Sequence, residues 1–290
     1  MVNQSAGVVS ADPIVPDWAK LTLPDTWPDR LNFNQPKDLW TLLTSILLNS
    51  QKRVELPDEM PGANIIPKYV LQEFHNLPNG NYSKKITRGY ITGFERLMTN
   101  AMAKVRTELA EKVSGAASVL DVGCAGGRMA AAVSEQGVGD VWGLDPSPYL
   151  LQHAAESYPK IRFVQGLAED TGFGDERFDA VTACFLLHEI PPRYLDKALA
   201  EFYRILKPGG LVAVSEPSSL QLTHSLATLV KQWGWRGWYF GVIARMVKEP
   251  FIEAWHNQNM ASKFAEFGFE LIEDKDSLPI RRLIARKIST

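Results

Sequence analysis

Residues 119–128 read VLDVGCAGGR, and no other stretch limits the possible folds of this chain so sharply. An apolar run long enough for a strand gives way to a glycine-rich turn and then to a helix-compatible segment. A second apolar run, VWGLD, follows and closes on Asp145. Strand, glycine turn, helix start, strand and terminal carboxylate together make half of a nucleotide crevice in an open parallel sheet. Glycines at 123, 126 and 127 let backbone approach a ligand, and the helix start offers unpaired N–H groups. The Asp145 carboxylate can accept from both hydroxyls of a ribose.

The glycine spacing decides between nucleotides. A hydride-transfer dinucleotide wants G-x-G-x-x-G, which from Gly123 requires glycine at 125 and 128, where the chain has Ala125 and Arg128. Arg128 would crowd the close helix–strand packing that a pyrophosphate needs. A turn of the G-x-G-x-G kind suffices without a pyrophosphate, and Gly123, Ala125 and Gly127 come within one methyl of it. Here the chain resembles the class I S-adenosylmethionine-dependent methyltransferases, whose first motif runs hydrophobic-hydrophobic-D-x-G-C-G-x-G.

That resemblance extends over roughly residues 116–290. Asp145 matches the family's acid at the end of the second strand, and GLAEDTGF from Gly166 to Phe173 matches its stretch near the adenine. Leu167 stands where an Asp is usual, so Glu169 or backbone near Ala168 would take over that contact. FDAVTACFLLHEI and RILKPGGLVAVSEP then match the fourth and fifth strands with their helix. The resemblance implies S-adenosylmethionine as cofactor, held by Asp121, Gly123, Cys124, Ala125, Gly127, Asp145, Pro146, Ala168, Glu169, Cys184 and Phe185.

The fold class expected is α/β: a Rossmann-like, mostly parallel seven-stranded sheet with an antiparallel C-terminal hairpin, plus an N-terminal helical cap. Strands are expected near 117–123, 139–145, 161–165, 178–185 and 210–216, then at 269–272 and 282–286. Residues 1–35, with four prolines, read as an extended arm. Residues 36–113 read as the cap, with a helix from Pro36, a short helix over 68–75 and one long helix over 87–113. That long helix carries Tyr90, Phe94, Leu97, Met98, Ala101, Val105 and Leu109 on one stripe. Residues 114–290 form the binding domain, interrupted by a helical lid insertion at 218–256.

Bulk properties remove other classes. Thirty-one basic and 33 acidic residues give a formal charge of −2, so no nucleic-acid partner is expected. Two cysteines, Cys124 and Cys184, cannot frame a disulfide scaffold, and together with a polar start lacking an apolar leader they lead us to expect a cytoplasmic protein. No Cys/His cluster has metal spacing, so no metal is expected.

Methyl transfer from a sulfonium is an in-line displacement that needs orientation and dryness more than a strong base. His188, just past the fourth strand, is the candidate base, with ordering of its loop as the alternative role. Glu216, ending the fifth strand, is a second candidate for touching a polar acceptor. Tyr82 and Tyr90, with Trp235, Trp238 and Tyr239 of the insertion, are candidate substrate contacts beside His188. The aromatic insertion reads equally as a roof over an apolar acceptor or as packing alone. Lys231, Arg236, Arg245 and Lys248 interleave with those aromatics, but Gly234, Gly237 and Gly241 speak against one amphipathic helix, leaving membrane contact the minor reading. The reading preferred is a small-molecule methyltransferase. A non-catalytic nucleotide-binding module stays open, as does a protein or nucleic-acid methyltransferase, although Pro191-Pro192 comes too late and is followed by Arg193 rather than an aromatic.

Overall fold

The computed structural model describes residues 12–47, 54–247 and 249–289; the first eleven residues of the expected arm, residues 48–53, Lys248 and Thr290 lie outside them. The strands are β1 (Ser118–Val122), β2 (Asp140–Asp145), β3 (Arg162–Gln165), β4 (Phe178–Cys184), β5 (Leu206–Pro217), β6 (Phe269–Ser277) and β7 (Ile280–Lys287). They form one sheet in the order β3-β2-β1-β4-β5-β7-β6. The first five run parallel, and β7 is antiparallel to both β5 and β6. Every residue of β1 is buried, as a central parallel strand covered on both faces requires.

Helices α4 (Arg128–Glu135), α5 (Pro148–Ser157), α6 (Pro192–Ile205) and α10 (Met260–Glu266) carry the chain between strands. One core lies under α6 and α10, with Leu120, Val181, Phe202 and Phe264 buried; the other lies under α4 and α5, with Val119, Ala130, Val141 and Phe163. The parallel order reverses direction between β1 and β4, the switch point outside which open sheets bind ligands.

The N-terminal arm is extended apart from two short 3₁₀ turns, Trp18–Lys20 and Trp27–Arg30. It is fastened rather than loose. Trp18 is buried and its Nε1 donates to the Phe163 carbonyl of edge strand β3 at 2.8 Å, while Gln152 of α5 donates to the carbonyls of Trp18 and Leu21.

Two cap expectations are corrected. The cap begins with α1 (Pro36–Leu47), but residues 68–75 form turns and a 3₁₀ segment, Phe74–Asn76, because His75 and Asn76 adopt positive φ. The long helix over 87–113 is two, α2 (Lys84–Leu97) and α3 (Ala101–Lys112). Thr99 and Asn100 sit in the left-handed region between them, which Asn tolerates better than most residues. The break rotates the stripe: Met98, Val105 and Leu109 stay in the core, whereas Tyr90 and Phe94 turn toward the strand tips.

The insertion is helical, as α7 (Leu220–Thr223), α8 (Leu226–Met246) and α9 (Ile252–His256). Of its glycines only Gly234 leaves helical geometry, with φ 60° and ψ −141°. The fold-back at Gly234 brings the two halves of α8 together, and a Cβ on Gly237 would collide with the Leu229 carbonyl. Gly234 thus breaks the segment into two helical halves rather than one continuous helix, and Gly237 lets those halves pack closely.

Candidate active site

Two cavities meet at the strand tips. The first is floored by Gly123, Cys124, Ala125 and Gly126 after β1 and flanked by Asp145 and Pro146 after β2. Gly123 has φ +68°, and a Cβ there would sit 2.8 Å from Leu186, so bare backbone is required on two counts. Ala125 also adopts positive φ, 45°, where a glycine would be less strained. Its N–H donates to Asp145 Oδ2 at 2.9 Å, and the Ser147 N–H donates to Oδ1 at 2.8 Å. Each carboxylate oxygen keeps a second lone pair for a ligand. Burial outweighs these bonds and pushes the Asp145 carboxyl up to about 7.

Asp121 is buried beneath the turn. Its Oδ2 accepts from the Ala130 N–H in the first turn of α4 and its Oδ1 from the Thr182 hydroxyl, at 3.1 and 2.9 Å. Burial lifts this carboxyl, too, to about 7. Asp121 thus fixes the helix start that faces the cavity. Arg128 also lines this cavity, its guanidinium donating to the Ile91 carbonyl of α2 and lying 3.8 Å from Glu95.

Of the residues expected to hold the cofactor, Asp121, Gly123, Cys124, Ala125, Asp145, Pro146, Ala168, Cys184 and Phe185 line this cavity. Gly127 does not; it caps α4 with φ +77° and backs onto Phe163. Glu169 also lies outside the lining; its carboxylate accepts from the hydroxyl of Tyr69, which lines the cavity. Cys124 and Cys184 are free thiols, and burial raises both, Cys184 to about 12, so neither is acidified for redox chemistry.

The second cavity is apolar and lies beyond a wall made by Tyr90, Phe94 and Phe185, which line both spaces. Phe185 holds φ 57°, a strained conformation for a bulky residue. Its ring stands edge-on to both Phe94 and His188, centroids 5.8 Å away in each case. His188 is buried, and its Nδ1 lies 2.5 Å from Glu216 Oε2. Glu216 is itself wholly buried, its Oε1 accepting from the Leu186 and Leu187 N–H groups. Burial alone would lower the His188 pKa, but the Glu216 carboxylate outweighs it and the net shift is upward. Among the described residues His188 Nε2 has no hydrogen-bond partner, and the side chain lines the second cavity.

Sequence reasoning missed a second histidine. His75 lines the second cavity, stacks on Tyr90 with centroids 5.4 Å apart, and lies between two carboxylates: Nε2 is 2.8 Å from Glu189 and Nδ1 2.6 Å from Glu249. Burial opposes protonation of His75, yet the two acids raise its pKa well above the usual value. These three are also the sole group among the described residues that could gather around a cation. Each ring nitrogen already addresses a different acid on opposite edges, which suits a shared proton better than one metal. No local signal in the sequence marked His75, because Glu189 and Glu249 come to it from distant parts of the chain.

The expected aromatic contacts redistribute. Tyr90 is at the shared wall, but Tyr82 is buried in a satellite core and lines neither cavity. Trp235 and Trp238 point to solvent, and the Tyr239 hydroxyl donates to the Leu97 carbonyl. The roof of the second cavity is instead Phe240, Ile243, Ala244 and Val247. The helical period set by the Gly234 kink decides which face of α8 turns inward, and composition alone could not supply that phase.

Residues 119–210 match the family described as a methyltransferase domain. An uncharacterized methyltransferase of Synechocystis sp. is 40% identical over 102 residues, 35% of this chain and 48% of that relative. A demethylmenaquinone methyltransferase of Chlorobaculum tepidum is 37% identical over 99 residues, 34% of this chain and 40% of that relative. The chain spans about half the length, or less, of these curated relatives. Among solved structures, a possible histamine N-methyltransferase of Thermotoga maritima aligns with a TM-score of 0.49 at 16% identity, covering 70% of this chain and 97% of that one. The matched residues run from β1 into β5, so the likeness to a methyltransferase domain falls on the glycine turn, the tip of β2 and β4.

Proposed function

We propose that this chain transfers the methyl group of S-adenosylmethionine to a small apolar or aromatic acceptor. The observation that carries the reading is the meeting of a polar-floored cavity and an apolar one across Tyr90, Phe94 and Phe185. The residues present fit the donor: bare backbone at Gly123 and Gly126, a buried acid at the tip of β2, and a buried Asn81 Oδ1 left without a partner on the cavity wall. When bound, S-adenosylmethionine supplies an electrophilic methyl on a sulfonium.

Asp145, ionised, accepts ribose hydroxyls with the lone pairs that Ala125 and Ser147 leave open. Gly123 to Gly126 give close approach, and Asp121 keeps the start of α4 aimed at the ligand. In the apolar cavity a flat acceptor is sandwiched among Phe94, Phe240 and Ile243 and kept from water. A hydroxyl on that acceptor gives its proton to His188 Nε2, while Glu216 fixes the ring through Nδ1–H and stabilises the imidazolium formed. Glu216 is thus a positioning residue. The demethylmenaquinone methyltransferase among the relatives makes a reduced quinone ring the first acceptor to try.

Calorimetric titration with S-adenosylmethionine, its demethylated product and NAD tests the donor. Binding of the first two and not of NAD is expected; binding of NAD alone overturns the proposal. Mass spectrometry of hydroxylated aromatic acceptors incubated with labelled donor then identifies the methylated atom.

A further inference from the structure

We infer that the outer face of α8 docks on an anionic lipid bilayer, placing the second cavity where an apolar acceptor can enter from the membrane. The docking surface stands independently; the statement about the acceptor rests on the proposed function. Three observations converge on α8.

First, its solvent face is aromatic. Trp235 and Trp238 are 64% and 53% exposed, Met246 is 67% exposed, and all three lie on the same helix as the cavity roof. Indole rings, apolar in body with one polar N–H, favour the bilayer interface. No helix of the described residues is long and apolar enough to cross a membrane, so the contact is superficial.

Second, the charge on this segment has one sign. The chain carries 33 acidic residues, yet none falls between Ser218 and Met246, where Lys231, Arg236 and Arg245 stand. Lys231 is exposed, Arg236 stacks over the Trp235 and Phe240 rings, and Arg245 holds its guanidinium against the carbonyls of Gln221, Gly241 and His224. Interleaved cations and tryptophans match an anionic headgroup layer over an acyl boundary. They do not match a second copy of the same face, which would set cation against cation.

Third, the face adjoins a cavity entrance. Leu97, 41% exposed, lines the second cavity, and its carbonyl accepts from Tyr239 of α8 at 2.8 Å. The inner side of the same helix supplies Phe240, Ile243 and Ala244 to the cavity. One helix thus offers a wet aromatic face and a dry apolar face beside a shared rim.

Sedimentation of the full chain with sucrose-loaded vesicles tests this without any methyl transfer. Vesicles of phosphatidylcholine with about 30% phosphatidylglycerol should retain the protein about tenfold better than phosphatidylcholine alone, with the advantage falling as salt rises. The double variant Trp235→Ser/Trp238→Ser should lose about tenfold and Lys231→Glu about threefold. Trp40→Ser, on the exposed α1, should bind as the parent does. Retention unaffected by the double variant, or lost in Trp40→Ser alone, overturns the inference. So does concentration-dependent dimerisation that the double variant abolishes while vesicles fail to bind. Unchanged affinity of each variant for the demethylated donor shows that the fold and the donor reading stand apart from the result.

Discussion

The two cavities were built under different constraints, although they share a wall. The first, proposed for the donor, is made of backbone and short side chains at strand tips, where register dictates position: Asp121, Gly123 and Asp145 cannot move without moving β1 or β2. The second, proposed for the acceptor, is roofed by helices outside the sheet, and its lining depends on where a helix kinks and which face it then presents. On that proposal the sheet meets a nucleotide common to many enzymes, whereas the elements added to it meet the individual substrate.

The contrast can be broken most severely at His188. His188→Ala should lower kcat by about 10²–10⁴-fold while donor affinity holds, since the side chain lines only the second cavity. Equal losses in turnover and donor affinity, measured by steady-state kinetics and calorimetry, would merge the two sides into one. Asp145→Ala should do the reverse, weakening the donor by about 1–3 kcal/mol while leaving acceptor-analogue binding intact.

Protonation sharpens the comparison further. The Asp145 carboxyl sits at about 7 because of burial, so donor affinity should fall as pH drops below that value, by at most about tenfold per unit. The fold holds this proton more tightly than the unfolded chain, whose carboxyl titrates near 3.8. Stability from this group is therefore fullest at acid pH and is withdrawn as pH rises toward 7. Asp145→Asn should flatten both dependences in calorimetry and urea melts. The smallest effect belongs to Ala125, whose left-handed φ costs about 1 kcal/mol. Ala125→Gly should raise Tm by about 2–3 °C.

The sheet was readable because apolar runs, glycines and acids recur in a fixed order; most strand ends fell within a residue or two, but β5 begins at Leu206 rather than 210 and β6 runs on to Ser277 rather than 272. The lining of the first cavity was readable for the same reason, except that Gly127 and Glu169 lie outside it. The long cap helix misled because an unbroken periodic stripe hides a left-handed step at Thr99 and Asn100. Trp235 and Trp238 misled because aromatic content says nothing of helical phase. His75 was invisible because its two acids, Glu189 and Glu249, are brought to it from distant parts of the chain.

Trp18 has a bearing on how this protein behaves in concentrated solution. Edge strand β3 would otherwise offer bare carbonyls to any passing strand, and the indole N–H satisfies one of them at Phe163. The opposite border, β6, discourages strangers by charge instead, with Glu270, Glu273, Asp274 and Lys275 along it. A version shortened past Trp18 would keep that second defence and lose the first, so its self-association should begin at the β3 border.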